Sequence, residues 1–119
     1  MAEWTERAEL LFKKEGLEKL QKAKVLVVGL GGVGSFAAEF LARAGVGTMT
    51  IVDGDVVDIT NINRQLPALH STVGQPKITI VGDRLMDINP ELQLTQIQEF
   101  LSPERAFELV SPEFDYVLD

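Results

Sequence analysis

The chain has 119 residues, of which 45% are hydrophobic; it contains no cysteine and carries a formal net charge of −7. These values indicate one globular domain, exclude disulfides, thiolate metal sites and thioester chemistry within these residues, and disfavour general binding to nucleic acid. No apolar run approaches the roughly 18 residues that a membrane span needs, so we expect a cytoplasmic protein without membrane contact.

The first predicted elements are amphipathic helices followed by a buried strand. Residues 5–22 place leucines among charged residues, which predicts one or two helices with a break near Gly16. Five lysines between positions 13 and 24 alternate with glutamates, a pattern more typical of a solvated helix face than of an RNA-binding patch. Val25–Val28 is a short, wholly apolar run of the kind that forms a strand covered on both faces.

A helix and a second strand are predicted next. Apolar residues recur at helical spacing over residues 34–44, and Gly45 suits the end of that helix. Thr48–Val52 has the composition of the following strand. The apolar face of the predicted helix consists of Phe36, Ala37, Phe40, Leu41 and Ala44.

The remainder of the chain continues the alternation after a polar loop. The loop, rich in Asp and Asn, covers residues 53–75. Pro76 fits the first position of a helix that continues to Ile88, where Asn89 and Pro90 end it. A strand, a helix start and a final short strand are predicted at Leu92–Ile97, Ser102–Glu104 and Tyr116–Leu118.

This order of elements predicts the fold class. Alternating strands and helices indicate an α/β fold, a doubly wound, Rossmann-like parallel sheet in one domain over residues 1–119. The pattern stops at Asp119, directly after the fourth strand, whereas doubly wound sheets usually continue. We therefore expect a sheet truncated after its fourth strand, as part of a longer protein or completed by a partner.

A glycine cluster between the first strand and the next helix indicates nucleotide binding. Gly29, Gly31 and Gly34 match G-x-G-x-x-G, and Asp53 ends the second strand. Glycines permit the tight turn and let backbone N–H groups approach a phosphate, while the helix amino terminus offers partial positive charge. Asp53 would then accept hydrogen bonds from ribose hydroxyls. The pattern alone fits NAD, FAD and several users of ATP.

A second group of polar residues, further along the chain, indicates which of these nucleotides is bound. A nicotinamide enzyme has no use for a guanidinium, an ammonium and a second carboxylate near its adenosine ribose. Displacement at the α-phosphorus of a triphosphate, in contrast, builds negative charge that cations and Mg²⁺ stabilise. We interpret Arg64 and Lys77 as the cations, Asp55 as a ligand of the metal, and Asn61 and Asn63 as amide donors to phosphate or to the attacking acyl group.

These motifs together resemble the ThiF/MoeB group of adenylating enzymes, which are related to the ubiquitin-activating enzymes. The resemblance covers residues 7–119 and rests on G-x-G-G-x-G (Gly29, Gly31, Gly32, Gly34), D-x-D (Asp53, Asp55), N-x-N-R-Q (Asn61, Asn63, Arg64, Gln65) and Lys77.

The resemblance implies several properties. ATP binds with Mg²⁺, Asp53 meets the ribose, Arg64 and Lys77 meet the phosphates, and a substrate carboxylate becomes an acyl-adenylate. It also implies a homodimer in which an arginine of the amino-terminal helix reaches the neighbour's nucleotide. Arg7 is the best match for that arginine, although a surface salt bridge with a residue such as Glu3 explains it equally well.

Two branches of this family fit the remaining sequence. The stretches around Thr60 and Ile62 and the INPE segment look closest to the dehydratases that cyclise threonylcarbamoyladenosine in tRNA. The alternative branch adenylates the carboxyl-terminal glycine of a ubiquitin-like sulfur-carrier protein. In this family a second metal-binding aspartate lies three residues beyond the position of Asp119, so we expect the isolated 119 residues to bind ATP weakly at best and to lack turnover.

Two readings from other functional classes remain. An NAD-linked oxidoreductase would leave Arg64 and Lys77 without a role, and a regulatory or scaffold module would bind nucleotide without chemistry. His70, the only histidine, is interpreted as an exposed loop residue and not as a general base.

Overall fold

Strands and helices alternate along the part of the chain that the structure describes. This computed structural model describes residues 3–118, except for the side chains of residues 3 and 6–12. Its elements in chain order are α1 (Glu6–Lys22), β1 (Lys24–Val28), α2 (Gly32–Ala44), β2 (Thr48–Val52), α3 (Lys77–Ile88), β3 (Gln93–Ile97), α4 (Pro103–Leu109) and β4 (Tyr116–Leu118). Short 3₁₀ turns cover Glu3–Thr5, Ile59–Asn61 and His70–Thr72. None of these helices has the length and apolar character that a membrane crossing requires.

The four strands form one parallel sheet in the order β3-β2-β1-β4. The chain thus moves outward from β1 through β2 to β3 and then returns to the other side of β1. This reversal of direction is the topological switch point of a doubly wound sheet, and ligands bind there at the carboxyl ends of the strands. The predicted α/β, Rossmann-like fold is confirmed, and the turn after β1 lies at the switch point.

The core lies between the central strands and two helices. Val25, Val27, Met49 and Ile51 are buried on β1 and β2, as expected for parallel strands. They share one hydrophobic cluster with apolar residues of α2 and α3: Ala38, Ala42, Ile78, Val81 and Leu85. Gly45 ends α2 in the left-handed conformation, with φ at 99°, which confirms the predicted helix end.

The predicted break in the first helix is present, but it lies at Lys13 and not at Gly16. Gly16 is helical, whereas Lys13 has φ 63° and ψ 166° and divides α1 into two helical segments. A glycine weakens a helix by only about 1 kcal/mol, so packing elsewhere decides whether the helix continues through it. Leu17, fully buried against Gly45, holds the segment that contains Gly16.

The buried face of α2 also differs from the sequence expectation. The predicted apolar face included Phe36 and Phe40, but their exposed fractions are 53% and 78%. The helix instead buries small or paired residues, namely Ser35, Ala38, Glu39 and Ala42. Small side chains let α2 approach the sheet closely, and this leaves the two phenylalanines on the outside.

A charged cluster links α2 to α3. One carboxylate oxygen of Glu39 accepts hydrogen bonds from Arg43 at 2.8 and 3.1 Å and from Arg84 at 2.9 and 3.1 Å. Burial raises the pKa of Glu39, but the hydrogen bonds from Arg84 and Arg43 outweigh it and hold the pKa below its ordinary value.

This cluster predicts an acid-dependent loss of stability. Because the folded pKa of Glu39 is lowered, its contribution is complete above the ordinary glutamate pKa of about 4.3 and disappears as the pH falls through the lowered value. Glu39→Gln should therefore reduce the free energy of unfolding by about 1 kcal/mol at pH 7, since both arginines are half exposed. Urea unfolding of the full-length protein between pH 3 and 7 measures this, with Glu15→Gln on α1 as control. A difference between Glu39→Gln and the wild type that does not shrink as the pH falls would contradict it.

Candidate functional site

The chain leaves β1 through a turn that only glycine accommodates at two positions. Gly29 has φ 87°, and its N–H donates to the carbonyl oxygen of Val52 at 2.7 Å. A Cβ built on Gly34 would overlap the carbonyl oxygen of Gly29, so the first turn of α2 lies directly on the glycine turn. Gly29 is therefore needed for its backbone conformation, and Gly34 for close packing.

The helix that follows starts two residues earlier than predicted. Its N-cap is Gly31 and its first residue is Gly32, whereas the sequence placed the start at Gly34. The N–H of Ser35 makes the first intrahelical bond, to Gly31 at 3.3 Å. The N–H groups of the three residues before Ser35 thus have no acceptor within the helix, and a helix amino terminus of this kind suits an anion.

Asp53 ties the end of β2 to the glycine turn. Its two carboxylate oxygens accept hydrogen bonds from the N–H groups of Leu30 and Asp55, each at 2.7 Å. A carboxylate has about four lone-pair sites, so each oxygen keeps one for a ribose hydroxyl. The predicted juxtaposition of Asp53 and the glycine turn is present.

The N-x-N-R-Q segment lies over the same turn. The side-chain amide of Gln65 is 3.7 Å from the position of a Cβ on Gly31, and the carbonyl oxygen of Arg64 is 3.9 Å from that of a Cβ on Gly32. Asn61 is buried, and its side-chain oxygen accepts from the N–H of Asp58 at 2.9 Å. This leaves the NH₂ group of Asn61 as the donor that its predicted role requires.

The 3₁₀ turn at the start of this segment is stabilised locally. Asp58 accepts from the hydroxyl of Thr60 at 2.7 Å and from its N–H at 2.8 Å. These two hydrogen bonds lower the pKa of Asp58, because both favour the ionised carboxylate. The turn thereby holds the residues that follow it in place above the glycines.

Lys77 and Asp55 meet although 22 positions separate them. Residues 55–57 run antiparallel to residues 74–77, with the N–H of Lys77 donating to the carbonyl of Asp55 at 3.1 Å. The Lys77 ammonium, whose side chain is only 5% exposed, lies 3.5 Å from a carboxylate oxygen of Asp55. A largely desolvated cation therefore stands at the carboxyl edge of the sheet. The helix begins at Lys77, and the predicted first residue, Pro76, is its N-cap.

Arg64 is not part of this pair in the structure. Its guanidinium donates to the side-chain oxygen of Asn63 at 3.0 Å and to the carbonyl of Thr60 at 3.3 Å, and the residue is exposed. The structure thus brings the backbone of Arg64 onto the glycine turn and leaves its cationic group on the outer surface of that segment. The side chain of Arg7 lies outside the described residues.

Two residues at the glycine turn were not singled out as site residues from the sequence. Ser35 is fully buried and donates its hydroxyl proton to the carbonyl of Gly31 at 2.6 Å, which fixes the helix start. Gln65 has a side-chain oxygen that is buried and lacks a hydrogen-bond partner among the described residues. The only sequence signal for Gln65 is its place in N-x-N-R-Q.

The described residues offer one acidic ligand that fits a metal carried by a nucleotide. They contain no cluster of three His, Asp or Glu side chains able to hold an ion alone. Asp55 is half exposed and supplies the hard carboxylate oxygen that Mg²⁺ prefers, and Mg²⁺ commonly takes its other ligands from phosphates and water. His70 is exposed, in agreement with its interpretation as a loop residue.

A cavity of about 600 Å³ lies at the opposite end of the sheet. Trp4, Gln21, Glu91 and Gln93 are among its lining residues. None of the lining residues is a lysine or an arginine, so the cavity lacks the cations that a triphosphate needs. The carboxyl edge, with Lys77 and the free helix amino terminus, is the better candidate for a nucleotide.

Comparison with known sequences places these motifs in a family. The sequence model of the ThiF family matches residues 5–119. The tRNA threonylcarbamoyladenosine dehydratase of Bacillus subtilis is 53% identical over 113 residues, which cover 95% of this chain and 44% of that protein. The molybdopterin-synthase adenylyltransferase of Escherichia coli is 42% identical over 108 residues, which cover 91% of this chain and 43% of that protein.

Solved structures agree with the sequence comparison. The E. coli tRNA N6-threonylcarbamoyladenosine dehydratase in complex with ATP has a TM-score of 0.89 and 40% identity, over 93% of this chain and 46% of that one. Its complex with AMP has the same TM-score and identity. The chain thus spans less than half the length of these relatives.

Proposed function

The chain belongs to the ThiF family, and on that premise we propose that it supplies the ATP-binding part of an enzyme that activates a carboxylate by adenylation. The observation that carries the proposal is the buried Lys77 ammonium beside Asp55, at the sheet edge that also holds the glycine turn. Hydride transfer gives no function to a buried cation there, whereas displacement at phosphorus requires one. The ATP complex of the E. coli relative supports the same nucleotide.

The proposed reaction is in-line displacement at the α-phosphorus. A substrate carboxylate oxygen forms a bond to that phosphorus, and the bond to the departing pyrophosphate breaks, which yields an acyl-adenylate. Negative charge grows on the nonbridging oxygens and on the pyrophosphate. The free N–H groups at the amino terminus of α2, with the Lys77 ammonium, would stabilise this charge without reorganisation. Asp53 and the turn that starts at Gly29 would hold the ribose and the adjoining phosphate.

The loop above the glycines would contribute the remaining polar groups. Arg64 would swing from its own turn to the phosphates, and Asn61 and Asn63 would donate amide hydrogens to phosphate or to the attacking acyl group. Mg²⁺ bound with ATP neutralises charge on the phosphates, and Asp55 is the described residue that would hold it.

We propose the modified adenosine of tRNA as the carboxylate substrate. The relatives named threonylcarbamoyladenosine dehydratases, at 41–53% identity, support this branch. Adenylation would activate the carboxylate so that the side chain closes into a ring. A ubiquitin-like sulfur-carrier protein is the second candidate, because adenylyltransferases of that branch are 40–43% identical. Either substrate would be met in the cytoplasm.

We further propose that the protein acts as a homodimer, with Arg7 reaching the partner's nucleotide. An exposed apolar stripe on α2 supports this proposal. Val33, Phe36 and Phe40 lie three and four positions apart, and each is more than half exposed. A second copy of the same face would remove these side chains from water.

Replacing Arg64 tests whether the protein binds ATP through the proposed phosphate contacts. Arg64→Ala in the full-length protein should weaken binding of ATP with Mg²⁺ by at least about 10-fold, because an arginine and a phosphate form charge-assisted hydrogen bonds. Isothermal titration calorimetry with ATP and with NAD measures both affinities. We expect the wild type to bind ATP in preference to NAD.

Arg84→Ala is the matched control, because Arg84 pairs with Glu39 between two helices, away from the glycine turn. It should leave ATP affinity unchanged. Preference for NAD, or an Arg64→Ala variant with wild-type affinity for the nucleotide, would refute the adenylation proposal and favour an oxidoreductase or a scaffold.

A further inference from the structure

The cavity at the amino end of the sheet has walls of hydrogen-bonded backbone. Thr48 and Gln93, the paired first residues of β2 and β3, both line it. The N–H of Gln93 donates to the carbonyl of Gly47 at 2.9 Å, and the N–H of Gly47 donates to the carbonyl of Leu20 at 3.2 Å. A Cβ built on Gly47 would overlap the carbonyl oxygen of Gln21, so the end of α1 lies directly on this wall. The volume of about 600 Å³ is within the range of small-molecule sites.

A buried asparagine fixes a second wall. Asn89 is only 3% exposed, and its side-chain NH₂ donates to the carbonyls of Val46 at 3.1 Å and Ala42 at 3.4 Å. Its side-chain oxygen accepts from the N–H of Glu91 at 3.2 Å. Asn89 thus joins the end of α2 to the end of α3 and holds the backbone of Glu91 at the cavity.

The 3₁₀ turn before α1 brings an aromatic residue to the same cavity. Thr5 is 2% exposed, and its methyl carbon is 3.9 Å from the position of a Cβ on Gly45. This contact holds the turn against the end of α2. Trp4, the neighbour of Thr5 in that turn, lines the cavity and is still 40% exposed. Its indole therefore retains surface that a ligand can cover.

The charges around the cavity favour a cation. Among the described residues that line it, Glu91 is the only charged one. Gly45 and Asn89, the C-caps of α2 and α3, also line it, and the carboxyl end of a helix carries partial negative charge. Tryptophan is the aromatic side chain that attracts a cation most strongly. The carboxylate, the helix ends and the indole thus all stabilise positive charge.

We propose that this cavity binds an organic cation, an ammonium or guanidinium group with an apolar body. Glu91 supplies the opposite charge, and Trp4 contacts the cation and its apolar part. The volume accommodates such a body, which a metal ion lacks. The inference is independent of the proposed adenylation, because the nucleotide lies at the other end of the sheet. A free diamine and the lysine or arginine side chain of a partner protein both carry this chemistry.

Calorimetry with the nucleotide-free, full-length protein tests the proposal. Putrescine should bind with a Kd of about 1 mM or below, and the neutral diol of the same chain length at least about 10-fold more weakly. Glu91→Gln should weaken putrescine binding by about 10-fold, and Trp4→Ala by about fivefold. Asp83→Asn, which neutralises an exposed carboxylate of α3 outside the cavity, is the matched control and should bind as the wild type.

The same titrations identify the source of the cation. A short acetylated peptide with one arginine that binds more tightly than putrescine would indicate a partner protein, whereas tighter binding of putrescine would indicate a free amine. The proposal is wrong if neither probe binds the wild type, or if the diol binds as tightly as putrescine. Glu91→Gln keeps the size of one exposed side chain and so preserves the fold, and wild-type affinity in this variant would also overturn the proposal.

Discussion

Gly34→Ala should weaken ATP binding by about 100-fold and destabilise the protein by about 3 kcal/mol. The added methyl group would overlap the carbonyl oxygen of Gly29, and a backbone atom cannot move aside as the end of a flexible side chain can. The first turn of α2 must therefore shift away from the glycine turn. A misplacement of about 1 Å at a reacting group can cost 100-fold in rate, and we expect a comparable loss of ATP affinity here. Calorimetry and urea unfolding of the full-length protein measure the two effects.

Gly47→Ala is the matched control for this change. A Cβ at Gly47 would overlap the carbonyl oxygen of Gln21 in the same way, but at the opposite end of the sheet. Both variants should lose similar stability, while only Gly34→Ala should lose ATP affinity. Equal losses of affinity would show that general destabilisation, and not the geometry of the glycine turn, limits binding.

Gly31, at the same turn, differs from Gly34 because the packing of the protein does not require a glycine there. A Cβ there would meet only the Gln65 side chain, at 3.7 Å, which is ordinary contact. The fold therefore accepts a methyl group at position 31, although the group would occupy space beside the helix amino terminus. Gly34 is required by the packing of the protein itself, whereas Gly31 leaves the space that the proposed phosphate contact needs.

The strands and the carboxyl-terminal ends of α2 and α3 were predictable because short-range chemistry decides them. The apolar run at Val25–Val28 and the left-handed Gly45 act within a few residues of their own position. The interruption at Lys13 and the outward direction of Phe36 and Phe40 depend on packing between distant parts of the chain. Periodicity gives the apolar positions of a helix but does not say which of them meets the sheet.

In the site, too, some contacts follow from local sequence and others depend on distant parts of the chain. The contact of Asp53 with the glycine turn follows from motif spacing, because parallel strands end at one edge. The sequence predicted that Lys77 and Asp55 belong to the same site, but not that they form an ion pair. The antiparallel run of residues 55–57 and 74–77 brings the two side chains together. The contact of Phe100 with Gly54 joins two loops that no local pattern relates, so it could not be predicted from motif spacing or periodicity.

Lys77→Met should reduce adenylate formation by about 100- to 1,000-fold, which is the usual cost of removing one preorganised group that stabilises transition-state charge. Methionine keeps an unbranched apolar stem in the buried position and removes only the cation. Asp55 would lose its partner at little cost to stability, since it is half exposed. Exchange of labelled pyrophosphate into ATP by the full-length protein measures the step, with tRNA that carries threonylcarbamoyladenosine or with a glycine-terminated carrier protein as the carboxylate.

Lys24→Met is the control for this variant, because Lys24 is an exposed lysine at the amino end of β1. It should exchange as fast as the wild type, and wild-type exchange should depend on the modified tRNA. Exchange that depends on the carrier protein instead would move the protein to the other branch of the family while leaving the role of Lys77 intact. If Lys77→Met exchanges pyrophosphate as fast as the wild type, Lys77 does not stabilise the transition-state charge. The proposal of adenylation at this site would then be wrong, because among the described residues Lys77 is the cation held closest to Asp55.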